Sequence, residues 1–178
     1  SLTMAQVIIP RAPDIAANSY VLLDAQTGQI LVEENADEPL PPASLTKIMT
    51  AYIAIEEIIN GNLELTDKVH ISEKAWRMEG SKMFVDVNSQ VSIEDLLRGI
   101  IIQSGNDASV AISEHIAGSE EAFADMMNQY SEVLGMKDSF FMNASGLDTE
   151  LYYNTMSARD LSILATATIQ RHLSLIHI

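Results

Sequence analysis

Apolar positions along the chain come first as two short β-rich runs and then as longer stretches with helical spacing. Tyr20-Val21-Leu22-Leu23-Asp24 and Gln29-Ile30-Leu31-Val32-Glu33 are separated by Ala25-Gln26-Thr27-Gly28, which carries a turn glycine. This pattern predicts a β-hairpin. A proline-bearing loop follows, then the apolar run Ile48-Met49-Thr50-Ala51-Tyr52-Ile53-Ala54-Ile55. The run predicts a helix over about 44–59, stopped by Asn60-Gly61. Residues 62–91 are mixed, and Lys68-Val69-His70-Ile71 and Met83-Phe84-Val85 predict short strands or loops there. Ser92-Ile93-Glu94-Asp95 resembles a capping box with aspartate in the acidic position, and it opens a helix to about residue 103. Ser104-Gly105-Asn106 interrupts that helix, and the pattern resumes from Asp107 to about residue 117. Ser119-Glu120-Glu121 caps a further helix ending near Leu134-Gly135, residues 143–154 read as loop, and Ser157-Ala158-Arg159-Asp160 opens a last helix. No internal repeat and no low-complexity segment interrupts this order.

One hairpin followed by four or five helices is an α+β layout with a difficulty. An isolated two-stranded hairpin is marginal in water, and no strand pattern follows residue 160. The end, His172-Leu173-Ser174-Leu175-Ile176-His177-Ile178, is apolar and lacks a stop signal. The expectation is an N-terminal piece of a longer protein. It divides into an extension over 1–17, a partial domain over 18–171 and a tail over 172–178 of doubtful nativeness. Small residues at Thr3 and Ala5 fit a signal-peptide remnant over 1–5 as well as they fit a disordered start.

With 178 residues, 47% apolar and 20% charged, the chain has the composition of a globular domain with a real core. A net charge of −15 argues against binding a nucleic-acid backbone. The absence of cysteine removes disulfides, thiolate metal sites and cysteine nucleophiles. No run reaches the roughly 18 apolar residues of a membrane span. His70, His115, His172 and His177 lack metal-ligand spacing, and no glycine-rich phosphate loop occurs. No cofactor is expected.

The chemistry is carried by Pro41-Pro42-Ala43-Ser44-Leu45-Thr46-Lys47. Residues i and i+3 of a helix share a face, so the Lys47 amine reaches the Ser44 hydroxyl. A serine hydroxyl needs a base to become a nucleophile. A lysine serves when burial or neighbouring positive charge pulls its pKa down. The helix N-terminus adds favourable potential where negative charge would develop. Taken alone, the pair is equally consistent with an N-capping serine and a solvated lysine, and roughly one S-x-x-K match is expected by chance in such a length. Ser104-Gly105-Asn106 is a second candidate. Between two helices it can present a hydroxyl and a carboxamide to a cleft, or it can simply break and recap the helix.

Together these stretches resemble the low-molecular-mass penicillin-binding proteins, the serine-type D-alanyl-D-alanine carboxypeptidases. The resemblance runs over about 17–171. It rests on Pro42-Ala43-Ser44-Leu45-Thr46-Lys47-Ile48-Met49-Thr50, Ile101-Ile102-Gln103-Ser104-Gly105-Asn106-Asp107-Ala108, Phe141-Met142-Asn143-Ala144-Ser145-Gly146-Leu147-Asp148 and Ser157-Ala158-Arg159-Asp160-Leu161. It implies the penicillin-binding-protein/β-lactamase-like transpeptidase fold, truncated to the first hairpin and the helical subdomain. It also implies Ser44 as acylated nucleophile, Lys47 as general base, Ser104 as proton relay, and Asn106 as a ligand of the substrate amide that helps hold Lys47. Gly105 and Ser81 would line the substrate site, Ser81 in a loop beside the cleft. The implied partners are a peptidoglycan stem peptide ending in D-Ala-D-Ala and β-lactams. The implied location is extracytoplasmic, at the inner membrane through a C-terminal anchor outside this sequence.

The family's third motif, Lys-Thr-Gly, does not occur in this sequence, so this piece alone is expected to be incompetent. A class A β-lactamase is the nearest rival. Its Ser-Asp-Asn is here Ser-Gly-Asn, and no Glu-x-x-Leu-Asn follows Asn106. A D,D-endopeptidase is poorly separated by sequence. A non-catalytic scaffold of the same fold would be under no demand to keep Ser44, Lys47, Ser104 and Asn106.

Overall fold

The structure, a computed structural model, describes residues 13–149 and 153–172. The expected signal-peptide remnant and the tail beyond His172 lie outside them. The predicted hairpin forms as β1 (Tyr20–Leu23) and β2 (Ile30–Glu34), antiparallel, with Tyr20 opposite Glu34 and a register shift after Leu22. Among the described residues neither strand has a third strand beside it.

The apolar run becomes α1 (Thr46–Ile59), preceded by a 3₁₀ turn over Ala43–Leu45. The expected helix start at Ser44 is thus corrected by two residues: Ser44 sits in the tighter turn, with Lys47 in the first turn of α1. Downstream come β3 (Lys68–His70), α2 (Glu73–Arg77) and β4 (Gln90–Ser92), then α3 (Ile93–Gln103), α4 (Asn106–Ala117), α5 (Glu120–Leu134) and α6 (Ala158–Arg171). Serine caps set the starts: Ser92, Ser119 and Ser157 accept from the N–H groups of Asp95, Ala122 and Asp160. Gly118 and Gly135 end α4 and α5 in the left-handed conformation.

Over 62–92 the structure supplies what the mixed pattern left open. A fourth cap at Ser72 starts α2, which is too short to show a helical period. β4 pairs with β3 antiparallel, although Gln90-Val91-Ser92 carries no apolar run. Of the two readings for Met83-Phe84-Val85, strand or loop, the structure has the loop; its backbone N–H groups donate to the Asp107 carboxylate.

The helix α1 lies between two apolar cores. Ala51, Ala54 and Ile55 pack with Val69, Ile71, Leu96, Leu97, Ile100, Val110 and Ile112. Met49, Tyr52 and Ile53 pack with Phe123, Met127, Phe141, Met156 and Leu164. Buried positions therefore run round nearly the whole helix from Thr46 to Glu56, as its largely apolar run over 48–55 requires. That enclosure carries the Lys47 side chain into the interior.

Candidate active site

Pro41 and Pro42 bring the chain to a tight turn in which Ala43 has φ +47°. This left-handed conformation costs a non-glycine residue about 1 kcal/mol or more. It leaves Ser44 exposed at the mouth of the site while Lys47, three residues on, is only 4% exposed. The Lys47 Nζ lies 3.1 Å from Ser44 Oγ and 2.7 Å from the Ser145 carbonyl oxygen. Burial lowers the Lys47 pKa from 10.5 to about 8, since an ammonium loses hydration there. Neighbouring positive charge, the other expected cause, is not involved. About a tenth of the amine is therefore neutral at pH 7, against well under a thousandth for an ordinary lysine, within reach of the one hydroxyl it would have to activate.

Ser104 closes α3 in the left-handed conformation, φ 54° and ψ 38°. It shares with Ser44 and Lys47 a cavity of about 340 Å³, walled by Ile48, Ala51, Ile100 and Ile169. Gly105 turns the chain where space is short: an added Cβ would lie 2.9 Å from Asp107 Oδ1 and 3.2 Å from the Gly99 carbonyl. Asn106 begins α4, one residue earlier than expected. Its N–H donates to the Ser81 carbonyl at 2.8 Å and its Nδ2 to the Glu79 carbonyl at 2.7 Å. Ser81 thus touches the turn through its backbone, and its side chain is not among the residues lining the cavity. The Asp107 carboxylate, wholly buried, accepts from the N–H groups of Met83, Phe84, Val85 and Ala108. Four donors on one carboxylate fasten the segment over 83–85 to the start of α4.

The expectation that Asn106 helps hold Lys47 differs from the geometry, in which Ser145 supplies the second partner of the amine. The loop over 143–146 is itself fixed at each residue. Asn143 Oδ1 accepts from the N–H groups of Ser145 and Gly146, Thr50 Oγ1 donates to the Ala144 carbonyl, and Glu120 Oε1 accepts from the Ala144 N–H. Asn154, also buried, joins this loop to Thr46. Sequence reasoning reads 143–154 as loop and gives it no part in the site. The signal available was the density of Asn and Ser around Gly146, which marks side chains that fold back onto backbone.

Among the described residues no cluster of histidine and acidic side chains is arranged to hold a metal ion. Nor is any helix long and apolar enough to cross a membrane.

Residues 6–178 match a family described as Peptidase S11, D-alanyl-D-alanine carboxypeptidase. The chain is 42% identical over 164 residues to the D-alanyl-D-alanine carboxypeptidase DacC of Escherichia coli, covering 89% of this chain and 40% of that protein. The crystal structure of the D-alanyl-D-alanine carboxypeptidase DacD from Francisella tularensis superimposes with a TM-score of 0.91. The identity is 38%, with 98% of this chain and 42% of that one covered. Penicillin-binding protein 5 from Haemophilus influenzae gives a TM-score of 0.88 at 42% identity, covering 93% of this chain and 48% of that one. The chain therefore spans about 40% of the length of the curated relatives it matches. Its hairpin and helices form part of a penicillin-binding-protein fold.

Proposed function

Because this chain belongs to the D-alanyl-D-alanine carboxypeptidase family, we propose that the full-length protein removes the terminal D-alanine from peptidoglycan stem peptides. Ser44 Oγ attacks the carbonyl carbon of the D-Ala-D-Ala bond as the neutral Lys47 amine takes its proton. The tetrahedral oxyanion receives the Ser44 N–H, which costs no reorganisation at the moment of reaction. Ser104 passes the proton to the leaving D-alanine amine. Asn106, with Gly105 and Ser81 beside it, contacts the substrate peptide. Water, activated by the same lysine, then hydrolyses the acyl-serine. A β-lactam presents a strained amide to the same hydroxyl and stays bound as the acyl-enzyme.

The observation that carries this reading is the Lys47 amine, 3.1 Å from Ser44 Oγ with its pKa lowered to about 8. Further support comes from Ser104 lining the same cavity. The substrate puts the protein outside the cytoplasm. Attachment to the inner membrane rests on the family resemblance and on no segment of this chain.

The test uses the full-length protein. It forms a covalent adduct with a fluorescent penicillin that Ser44→Ala and Lys47→Ala lose, and it releases D-alanine from a pentapeptide ending in D-Ala-D-Ala. Labelling that survives Ser44→Ala, or labelling without D-alanine release, overturns the proposal. Cleavage of cross-linked dimers with no release from the pentapeptide assigns the site to an endopeptidase instead.

A further inference from the structure

Asn154 has no part in the chemistry above, yet its amide is bonded at both ends. The Oδ1 accepts from the Met142 N–H at 2.8 Å and the Asn143 N–H at 3.2 Å. The Nδ2 donates to Thr46 Oγ1 at 3.0 Å and to the Asn143 carbonyl at 3.1 Å. The residue has 0% exposure, and its own N–H donates to Asp148. These bonds reach two places at once. One is the root of the loop whose Ser145 carbonyl holds the Lys47 amine. The other is Thr46, the residue that precedes Lys47 and opens α1.

The chemistry of the side chain is specific. The position requires an acceptor for two backbone N–H groups and a donor for a hydroxyl and a carbonyl, on one short planar group. Aspartate lacks the donor, leucine lacks both, and glutamine is one methylene too long. Other contacts already set the path of the loop, through Asn143, Thr50 and Glu120. Asn154 adds a bridge between that loop and the hydroxyl of the residue next to the lysine.

We infer that Asn154 is a positioning residue for the general base, locking the 143–146 loop to the first turn of α1 so that the Ser145 carbonyl and the Lys47 amine keep their separation. The inference rests on the base role proposed for Lys47. A neutral amine has two protons and one lone pair. With one proton committed to Ser145 at 2.7 Å, the lone pair turns to the hydroxyl at 3.1 Å. If the loop drifts, the amine loses that orientation and water reaches it. The charged groups around the network are Glu120 of α5, engaged by the Ala144 N–H and by Lys74, and Asp148, engaged by the Asn154 N–H. Among the described residues Lys47 makes no ion pair, so its orientation depends on these hydrogen bonds.

The experiment measures the acylation rate by a penicillin from pH 6 to pH 10, together with Tm, in the full-length protein. Asn154→Leu removes both ends of the bridge. Thr46→Val removes only the hydroxyl that Nδ2 reaches, with little change of shape, and decides the matter if Asn154→Leu does not fold. The expected result is an acylation rate lowered about tenfold to a hundredfold, the scale of a misplaced catalytic group. The midpoint of the rate–pH curve also moves upward as the amine is rehydrated. Thr46→Ser recovers most of the rate that Thr46→Val loses. A lowered Tm with wild-type rate and midpoint in the folded variants makes Asn154 merely structural and overturns the inference alone. A wild-type protein that no penicillin acylates overturns the catalytic reading and this inference with it.

Discussion

A Cβ placed on Gly146 would stand 1.8 Å from the carbonyl oxygen of Ala43. The two backbones meet where the chain is already unusual, Gly146 at φ +75° and Ala43 at φ +47°. The glycine lets the loop that holds the Lys47 amine sit directly on the turn that presents Ser44. Gly146→Ala forces them apart and places alanine in a conformation it resists. The expected cost is about 2–4 kcal/mol of stability, with loss of penicillin labelling even in the fraction that remains folded. A folded Gly146→Ala protein that labels at the wild-type rate would contradict the close seating.

In the proposed mechanism, acylation needs the unprotonated Lys47 amine. Its rate therefore rises with pH through a midpoint near 8 and levels above it, because burial holds the pKa at about that value. A profile already flat at pH 6 would show a different base.

Stability follows the same group with a definite sign. Between about pH 8 and 10.5 the unfolded chain holds a proton on Lys47 that the folded protein has released. Unfolding there takes up protons, so this group makes the fold more stable as pH rises across that window. The full effect is about 3 kcal/mol. Urea unfolding of wild type and Lys47→Met at each pH isolates it: the difference between them shifts in favour of wild type from pH 8 to 10.5. A difference independent of pH would refute the burial of the amine.

Asp107→Asn replaces one carboxylate oxygen with an NH₂ that faces backbone donors. Either Met83 and Ala108 or Phe84 and Val85 lose their acceptor. A loss of about 2–4 kcal/mol is expected from unsatisfied buried groups. Amide exchange should quicken at 83–85 before it does in α1, and uniform exchange across both would count against a local clamp.

Phe84 is 82% exposed with φ +65°. Almost nothing is gained by burying its ring, while a bulky residue in that conformation is strained. Phe84→Gly is therefore neutral or stabilising, by at most about 1 kcal/mol after the greater entropy of glycine in the unfolded chain is counted. A thermal melt showing clear destabilisation would mean that the ring has a packing role.

What the sequence revealed was whatever depends on near neighbours. Ser92, Ser119 and Ser157 mark helix starts because a cap bonds a residue three places on. The Ser44–Lys47 pair was readable for the same reason. The second partner of Lys47 was not, since Ser145 lies 98 residues away and contributes a carbonyl, which every residue possesses. Asn154 meets Thr46 across 108 residues and stood unremarked in a loop. Asn106 was assigned to the lysine by resemblance; what pattern did not reveal is that its Nδ2 donates to the Glu79 carbonyl, 27 residues away. The apolar triplet over 83–85 stayed open between strand and loop because pattern alone does not reveal that a buried carboxylate, rather than another strand, takes its N–H groups.

Enclosing α1 between two cores from Thr46 to Glu56 ties reactivity to dryness along most of that helix. Leu164 and Met127 do not line the cavity at Ser44, yet they help keep solvent from the flank of the helix that carries Lys47. Hollowing out either flank would let moisture creep toward the ammonium and push the working range to more alkaline conditions. Drift of the acid limb thus serves as a gauge of interior leakage, sensitive to flaws too small to unfold the chain.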